Sequence, residues 1–235
     1  MNFQALSNYA NAFAELFFPR VCCGCGVHLF EHEHEVCKIC LRNLPRTGFE
    51  LIDANPVSQM LWGRVQIERA ASMYYYRKGE LLQKLLHTLK YRGNYRLGEE
   101  FGKQMGKILF QAGYTAGIDA VIPVPLHEIK QRKRGYNQSE HIAGGLSAAA
   151  NIPLITDNLI RTAYSESQTK KSRYERWENV SSVFAVVDPD ELRGRHILLV
   201  DDVITTGATL EACTAALKEA GDVKVSIATV GVADY

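Results

Sequence analysis

The sequence predicts an α/β fold, in which a parallel sheet is covered by helices, preceded by a small segment with four paired cysteines. Two observations support this prediction. Short apolar strands alternate with helices from about residue 70 onward, and five of the six cysteines lie between residues 22 and 40. We divide the chain into an N-terminal helix with a knuckle segment (1–45), a connector (46–69) and an α/β domain (70–235).

The composition is typical of a globular protein and argues against several classes of function. The 235 residues are 46% hydrophobic, and the net charge of +1 gives no sign of nucleic-acid binding. No apolar run reaches the length of a membrane span. The first 20 residues lack the basic start of a signal peptide and place an apolar stripe on a helix, which we expect to dock on the protein itself rather than on a membrane. We therefore expect a cytoplasmic protein; the sequence does not indicate its oligomeric state.

The cysteines form two C-x2-C knuckles separated by eleven residues. The paired thiols are Cys22, Cys25, Cys37 and Cys40. Four thiolates complete a tetrahedral shell, so the spacing predicts a structural Zn²⁺ site with no open position for chemistry. Two disulfides are the alternative, which a reducing compartment disfavours. Cys23 is an extra thiol, and three nearby histidines are alternative ligands: His28, His32 and His34.

The α/β domain is predicted from eight segments. Strands are expected over 68–77, 118–125, 196–202 and 223–233, and helices over 79–93, 95–113, 137–150 and 205–221. Ligands of parallel sheets bind at the carboxyl ends of the strands. That rule places Asp201 and Asp202, at the end of the third predicted strand, at the ligand edge.

The stretch ILLVDDVITTGAT, residues 197–209, is the strongest functional signal. Free amides at the start of a helix, together with threonine hydroxyls, suit a phosphate, and Gly207 lets the backbone approach it closely. Asp201 and Asp202 would repel that phosphate unless they accept hydrogen bonds from hydroxyls of the same ligand. A sugar phosphate fits both halves. A capped helix, or an ordinary nucleotide-type turn, is the alternative interpretation.

The same stretch resembles the signature of the type I phosphoribosyltransferases. VIPVPLHEIKQRKRGYNQSEHIA (121–143), the four-cysteine knuckle and the lysine of LHTLKYRGN (86–94) resemble the ComF/GntX-type branch of that family. The resemblance implies the type I fold and binding of phosphoribosyl pyrophosphate with Mg²⁺. Our first hypothesis for the function is an enzyme that transfers phosphoribose to an amine or nitrogen nucleophile, with release of pyrophosphate.

The resemblance also assigns residues to parts of the site. Asp201 and Asp202 would take the ribose hydroxyls, and Arg134 and Lys90 would be catalytic cations. The 5′-phosphate would be wrapped by Thr205, Thr206, Gly207, Ala208 and Thr209. The pyrophosphate loop would be Pro123, Val124, Pro125, Leu126 and His127. A flexible lid would present Gln168, Lys171, Arg173, Arg176 and Asn179.

Several of these residues also have an interpretation that involves no ligand. Lys90 would then lie at a solvated helix end, and His127 would be a surface histidine whose hydrogen bonds are made within the protein. Arg173 and Arg176 would lie on a surface helix. Purine-salvage members of the superfamily carry an acidic residue where this chain has Thr205, so the acceptor stays open.

Two functions fit the sequence. The alternative to an enzyme is a non-catalytic sugar-phosphate sensor, or a competence factor that handles single-stranded DNA or binds another protein of the competence machinery. Two basic stretches favour DNA contacts. We expect no run of aromatic residues to interleave with them, since the closest, MYYYR at 73–77, fits a strand better.

Overall fold

A computed structural model describes residues 19–162 and 183–234. The predicted N-terminal helix and the five predicted lid residues lie outside the described residues. Those lid residues are Gln168, Lys171, Arg173, Arg176 and Asn179. None of the helices in the described ranges is long and apolar enough to cross a membrane.

The strands form one parallel sheet and one short antiparallel pair. Their bounds are β1 Ala70–Tyr76, β2 Ala120–Pro123, β3 Leu159–Arg161, β4 Phe184–Val186, β5 His196–Ile204 and β6 Lys224–Ala233. The main sheet has the order β1-β6-β5-β2 with every neighbouring pair parallel, while β3 and β4 pair antiparallel. The predicted parallel sheet is confirmed. The β3–β4 pair was not predicted, because each of its strands has only three residues.

Helices cover the sheet and link its strands. They are α1 Lys38–Arg42, α2 Pro56–Gln59, α3 Leu81–Tyr91, α4 Tyr95–Gln111, α5 Glu128–Arg134, α6 Gln138–Ala150, α7 Pro189–Leu192 and α8 Ala208–Glu219. Strand β5 runs two residues beyond Asp202, and α8 begins at Ala208 rather than at residue 205. The residues 205–207 thus form a turn that is separate from the helix.

Two glycines let helices α4 and α6 approach each other closely. A Cβ on Gly102 would lie 2.0 Å from the carbonyl oxygen of Ile142, and one on Gly145 would lie 2.2 Å from that of Glu99. No side chain fits at such distances, so the two backbones are in direct contact. This contact fixes α6, whose first turn faces the ligand edge of the sheet.

The knuckle segment packs on α3 and on the start of α4. Lys84 donates a hydrogen bond to the carbonyl oxygen of Gly24, and a Cβ on Gly24 would lie 2.9 Å from Leu81 Cδ1. Asn94, the N-cap of α4, donates to Glu35 Oε2 at 2.7 Å. The cysteine segment therefore contacts the helix that ends near Asp202.

Candidate functional site

The parallel register brings the ends of β2 and β5 together. Pro123 is paired with Val200, and the amide of Val124 donates to the carbonyl oxygen of Val200 at 2.9 Å. The predicted pyrophosphate loop therefore leaves the sheet directly beside Asp201. Its role as a pyrophosphate loop stays a prediction.

Asp201 is buried and held by two donors. Its Oδ1 accepts from Ser139 Oγ at 2.8 Å and from the backbone N–H of Asp202 at 2.8 Å. Burial, followed by the charge of Asp202, raises the pKa of Asp201 to about 7, against the lowering effect of these hydrogen bonds and of Lys90. This carboxylate is poorly compensated by the protein alone.

Ser139 was missed by the sequence reasoning, although it lies inside the family stretch. It is completely buried in the first turn of α6, where its N–H donates to the side chain of Asn137, the N-cap. The clue available in the sequence was Asn137, an N-cap residue two positions before Ser139.

Asp202 is paired with Lys90. Their Oδ2 and Nζ atoms are 2.6 Å apart, and the side chains are 7% and 25% exposed. Within the described ranges, Asp202 Oδ2 has no hydrogen bond, so the ammonium of Lys90 is its compensation. A largely buried ion pair of this kind is weak evidence for stability and is costly to break. A solvated helix end does not describe Lys90, which the structure brings to the carboxylates.

The turn after β5 has the shape of an anion cradle. Gly207 adopts a left-handed conformation with φ of 79° and is the N-cap of α8, so no side chain caps the first amides of that helix. Thr205, Thr206, Ala208 and Thr209 are exposed around a small cavity of about 40 Å³, which Asp201 also lines. Carboxylate and cradle thus share one cavity.

The basic run after the proline loop is helical, which the sequence reasoning did not predict. Helix α5 buries no residue, so it carries no apolar stripe. His127 is its N-cap and accepts from the N–H of Ile129 through Nδ1 at 3.2 Å. That cap is a structural role for His127, and a ligand contact for it stays a prediction.

Arg134 differs from the other cations of α5. Lys130, Arg132 and Lys133 are exposed, whereas Arg134 is half-buried and donates to the side chain of Gln138. Its guanidinium lies 5.3 Å from the ring centre of Tyr91, at the end of α3. Arg134 is thereby fixed near the helix end that carries Lys90.

An aromatic and basic surface extends from this point. The rings of His87 and Tyr91 are 4.7 Å apart, and those of Tyr95 and His141 are 4.9 Å apart. Tyr91 and Tyr95 are exposed, as are Arg92 and Arg96. The expectation that aromatics do not interleave with basic residues was wrong, because KYRGNYR at 90–96 alternates the two types across a helix junction.

A cleft of about 580 Å³ borders the same helix end. It is lined by residues 76–92, among them Tyr76, Lys84, His87, Lys90 and Tyr91. Lys90 lines this cleft and also pairs with Asp202, so it connects the cleft with the carboxylates, which do not line the cleft themselves.

The four predicted zinc ligands come together. The sulfur atoms of Cys22, Cys25, Cys37 and Cys40 all lie within 4.8 Å of one another. Tetrahedral zinc with Zn–S bonds of about 2.3 Å places sulfurs about 3.8 Å apart, so the cluster fits this ion. All six cysteines are free thiols, and the three nearby histidines are exposed and not part of the cluster.

Backbone amides prepare one thiol of the cluster for ionisation. Burial disfavours the thiolate of Cys22, but hydrogen bonds from backbone N–H groups, first that of Cys37, bring its pKa down to about 6. Burial raises the pKa of Cys40, and the neighbouring thiols add to the effect. A cation among these sulfurs would supply the charge that the remaining thiolates lack.

Cys23 points elsewhere. Its sulfur lies 3.4 Å from Asn94 Nδ2 and 3.9 Å from Glu35 Oε2, and burial followed by Glu35 raises its pKa. The extra thiol therefore belongs to the contact between the knuckle segment and α4.

Comparison with known proteins agrees with this geometry. The model of the phosphoribosyl transferase domain family matches residues 96–231, which leaves the cysteine segment outside the match. Competence protein F of Haemophilus influenzae is 34% identical over 46% of this chain and 48% of its own, so the match spans about half of that protein.

Two further relatives match over most of the chain. Competence protein ComFC of Bacillus subtilis is 26% identical over 86% of this chain and 79% of its own. DNA utilization protein YhgH of Escherichia coli is 25% identical over 90% of this chain and 96% of its own. The resemblance to the ComF branch that the sequence suggested is confirmed.

Proposed function

This chain belongs to the phosphoribosyl transferase domain family, and we propose that it binds phosphoribosyl pyrophosphate with Mg²⁺ and transfers phosphoribose to a nitrogen nucleophile. Asp201 and Asp202 accept hydrogen bonds from the ribose hydroxyls in this proposal. The segment from Thr205 to Thr209 holds the 5′-phosphate, and the loop from Pro123 to His127 contacts the pyrophosphate.

The observation that carries the proposal is the incomplete compensation of two adjacent buried carboxylates beside an anion cradle. Two charges in this position cost stability, and the fold offers them one ammonium, one hydroxyl and two backbone N–H groups. A ribose diol supplies hydroxyl donors at the carboxylates while its phosphate meets the free amides of α8. One ligand thus satisfies both features.

In this proposal the cations Lys90 and Arg134 act at C1 of the ribose, away from the 5′-phosphate. Breaking the bond between C1 and pyrophosphate leaves positive charge on the ribose and negative charge on the leaving group. Mg²⁺ would neutralise part of the leaving group when it enters with the substrate. Lys90 is released from Asp202 as the diol binds and turns its ammonium toward the pyrophosphate, with Arg134 nearby. The nucleophile reaches C1 through the cleft beside Lys90.

The predicted lid completes the proposal. Its cations and amides would close over the pyrophosphate and exclude water, so that phosphoribose passes to the acceptor. The cysteine segment is proposed to hold a structural Zn²⁺, which keeps this segment folded where it packs on α3.

Calorimetric titration tests the donor site. Phosphoribosyl pyrophosphate is added with Mg²⁺ to the wild type, to Asp201→Asn/Asp202→Asn and to the control Asp190→Asn. Asp190 lies on α7, is exposed and pairs with Arg193. We expect the double variant to lose at least a hundredfold in affinity and the control to match the wild type. Absence of binding by a folded, zinc-loaded wild type would overturn the proposal.

A second candidate function is binding of single-stranded DNA, and the aromatic and basic surface favours it. Exposed Tyr91 and Tyr95 offer stacking faces, with Arg92, Arg96 and Arg134 near them for the phosphates. Two of the matched relatives carry competence in their names and a third carries DNA utilization.

Salt dependence separates the two functions. DNA bound by this surface should dissociate steeply as salt rises, and Tyr91→Ala/Tyr95→Ala should weaken it about tenfold or more. Binding of the sugar phosphate should respond mainly to Mg²⁺. Fluorescence anisotropy with a labelled thymidine oligonucleotide measures the first, and an unchanged affinity in the tyrosine variant would rule out this surface.

A further inference from the structure

We propose that Arg64, in the connector, is a positioning residue for the phosphate turn, and that the connector is therefore part of the ligand site. The inference rests on the proposed function, because it assigns a task to a residue behind the cradle. Nothing in the sequence pattern around Arg64 indicates such a task.

Arg64 binds the turn and the helix after it at the same time. Its Nη1 donates to the carbonyl oxygen of Thr206 at 2.7 Å and to that of Met60 at 3.1 Å. Its Nη2 forms an ion pair with Glu211 in the first turn of α8. The side chain of Arg64 is 37% exposed and lies outside the cavity that the cradle lines.

Leu61, three residues before Arg64 in the connector, also lies against the turn. A Cβ on Gly207 would lie 3.1 Å from Leu61 Cδ2 and 3.5 Å from Arg64 Nη1. Leu61 is completely buried, so this part of the connector is anchored in the core. The turn therefore rests against a fixed surface rather than against solvent.

The bond to Thr206 determines where the next amide points. In a trans peptide the carbonyl oxygen and the following N–H point in opposite directions. Because Arg64 holds the Thr206 carbonyl on the connector side, the N–H of Gly207 is turned away from the connector. Fixing that peptide in advance lowers the ordering cost when a phosphate binds.

The ion pair has a second consequence. Glu211 stabilises the start of α8 through the helix dipole, but its negative charge would compete with a phosphate for the same amides. The guanidinium of Arg64 neutralises Glu211 from outside the cavity. One side chain thus orients an amide and removes a repulsion.

Arg69 provides a matched control. It belongs to the same connector, pairs with Asp53 at 3.1 Å and lies over the ring of Tyr114 at 4.5 Å. It shares charge and partial exposure with Arg64 but not the contact with the turn.

The first arm of the test is calorimetry with Mg²⁺ and phosphoribosyl pyrophosphate on the full, zinc-loaded chain. Arg64→Ala should lose about tenfold in affinity, Arg64→Lys somewhat less, and Arg69→Ala nothing. If Arg64→Ala fails to fold, Arg64→Lys decides, because lysine keeps the charge without the forked contact. Affinities within twofold of the wild type would overturn the inference.

Glu211→Gln separates orientation from charge. In Arg64→Ala/Glu211→Gln the repulsion is gone but the Thr206 carbonyl stays unanchored, so we expect partial recovery. Complete recovery would overturn the positioning role in favour of simple neutralisation.

The second arm needs no ligand. Arg64→Ala should shift the amide resonance of Gly207 and increase its mobility in ¹⁵N relaxation measurements, whereas Arg69→Ala should not. An unchanged Gly207 amide would overturn the inference. If the wild type binds no phosphoribosyl pyrophosphate, the proposed function fails, and this arm alone decides whether Arg64 positions the turn.

Discussion

The cysteine cluster and the carboxylate pair each bring acidic groups close together, but the groups that stabilise them come from different parts of the chain. The cysteines are surrounded by their own backbone, since the amides of Gly24 and Cys37 donate to Cys22 Sγ at 3.3 Å. The carboxylates depend on Ser139 and Lys90, which come from distant helices. The difference teaches that the first site is specified by local sequence and the second by the assembled fold.

Helix α3 connects the two sites. Leu81 and Lys84, near its start, contact Gly24 of the knuckle, and Lys90, near its end, pairs with Asp202. Variants that damage one site while sparing the other therefore test whether this helix transmits the damage.

Loss of one zinc ligand should have the largest effect. Cys37→Ser keeps an oxygen that can cap α1, where the Cys37 sulfur now accepts from the Cys40 amide, but it removes a thiolate. We expect zinc content to fall from about one ion per chain to a small fraction, with a lower melting temperature. Metal analysis and thermal unfolding measure both. Cys23→Ser is the control, and full zinc retention in Cys37→Ser would contradict a four-cysteine site.

Removing Lys90 should damage the carboxylate site next most strongly. Lys90→Met leaves the Asp202 charge buried without a partner, which should lower the free energy of unfolding by about 3 kcal/mol. Lys90→Met/Asp202→Asn should recover most of that loss, because no charge then remains uncompensated. Urea unfolding of the two single variants and the double variant gives the coupling energy. Additive losses would show that the pair does not interact.

The pH dependence of stability should separate the sites further. The pKa of Asp201 is about 7 in the folded protein and about 3.9 when unfolded, so the folded state binds the proton more tightly. Its contribution is full below pH 4 and is lost as pH rises through 7, on the order of 4 kcal/mol in total. Asp201→Asn should lack this slope in urea unfolding between pH 5 and 8. Parallel curves for wild type and variant would refute the assignment.

Loss of the Ser139 hydroxyl should have the smallest effect. Ser139→Ala removes a hydrogen bond to a carboxylate and should cost about 1–2 kcal/mol at pH 8, with less loss at pH 5, where Asp201 is protonated. Ser147→Ala is the matched control on the same helix, since its hydroxyl donates to the carbonyl oxygen of Ile152 at 2.6 Å. The control should lose stability equally at both pH values. Equal losses in Ser139→Ala would contradict its contact with the charged form.

The features that the sequence predicted are local ones. The C-x2-C pairs, the alternation of apolar strands with helices and the stretch 197–209 each depend on residues close in the chain. Both members of the Lys90–Asp202 pair were selected from the sequence as site residues. That they contact each other was not predicted, because 111 residues separate them.

The features that were missed depend on the fold or lack a periodic signal. Helix α5 has no buried residue, so it shows no apolar stripe; its signals were His127 as N-cap and Gly135 at its C-terminus, with φ of 83°. Ser139 and Arg64 act through single contacts with elements 62 and 142 residues away. The N-cap Asn137 marks a helix start beside Ser139 but not its contact with Asp201, and nothing in the composition near Arg64 marks its contact.

The glycine contact between α4 and α6 restricts where the site can adapt. Side chains at an ordinary helix interface change rotamers and let helices slide, but at Gly102 and Gly145 the backbones of these two helices are in direct contact. We expect α4 and α6 to keep their relative position when a ligand binds. Lys90 and the 205–207 turn are then the parts that move to fit the ligand. Mutations that change the acceptor should therefore be tolerated on α3 and in the connector, but not on α6.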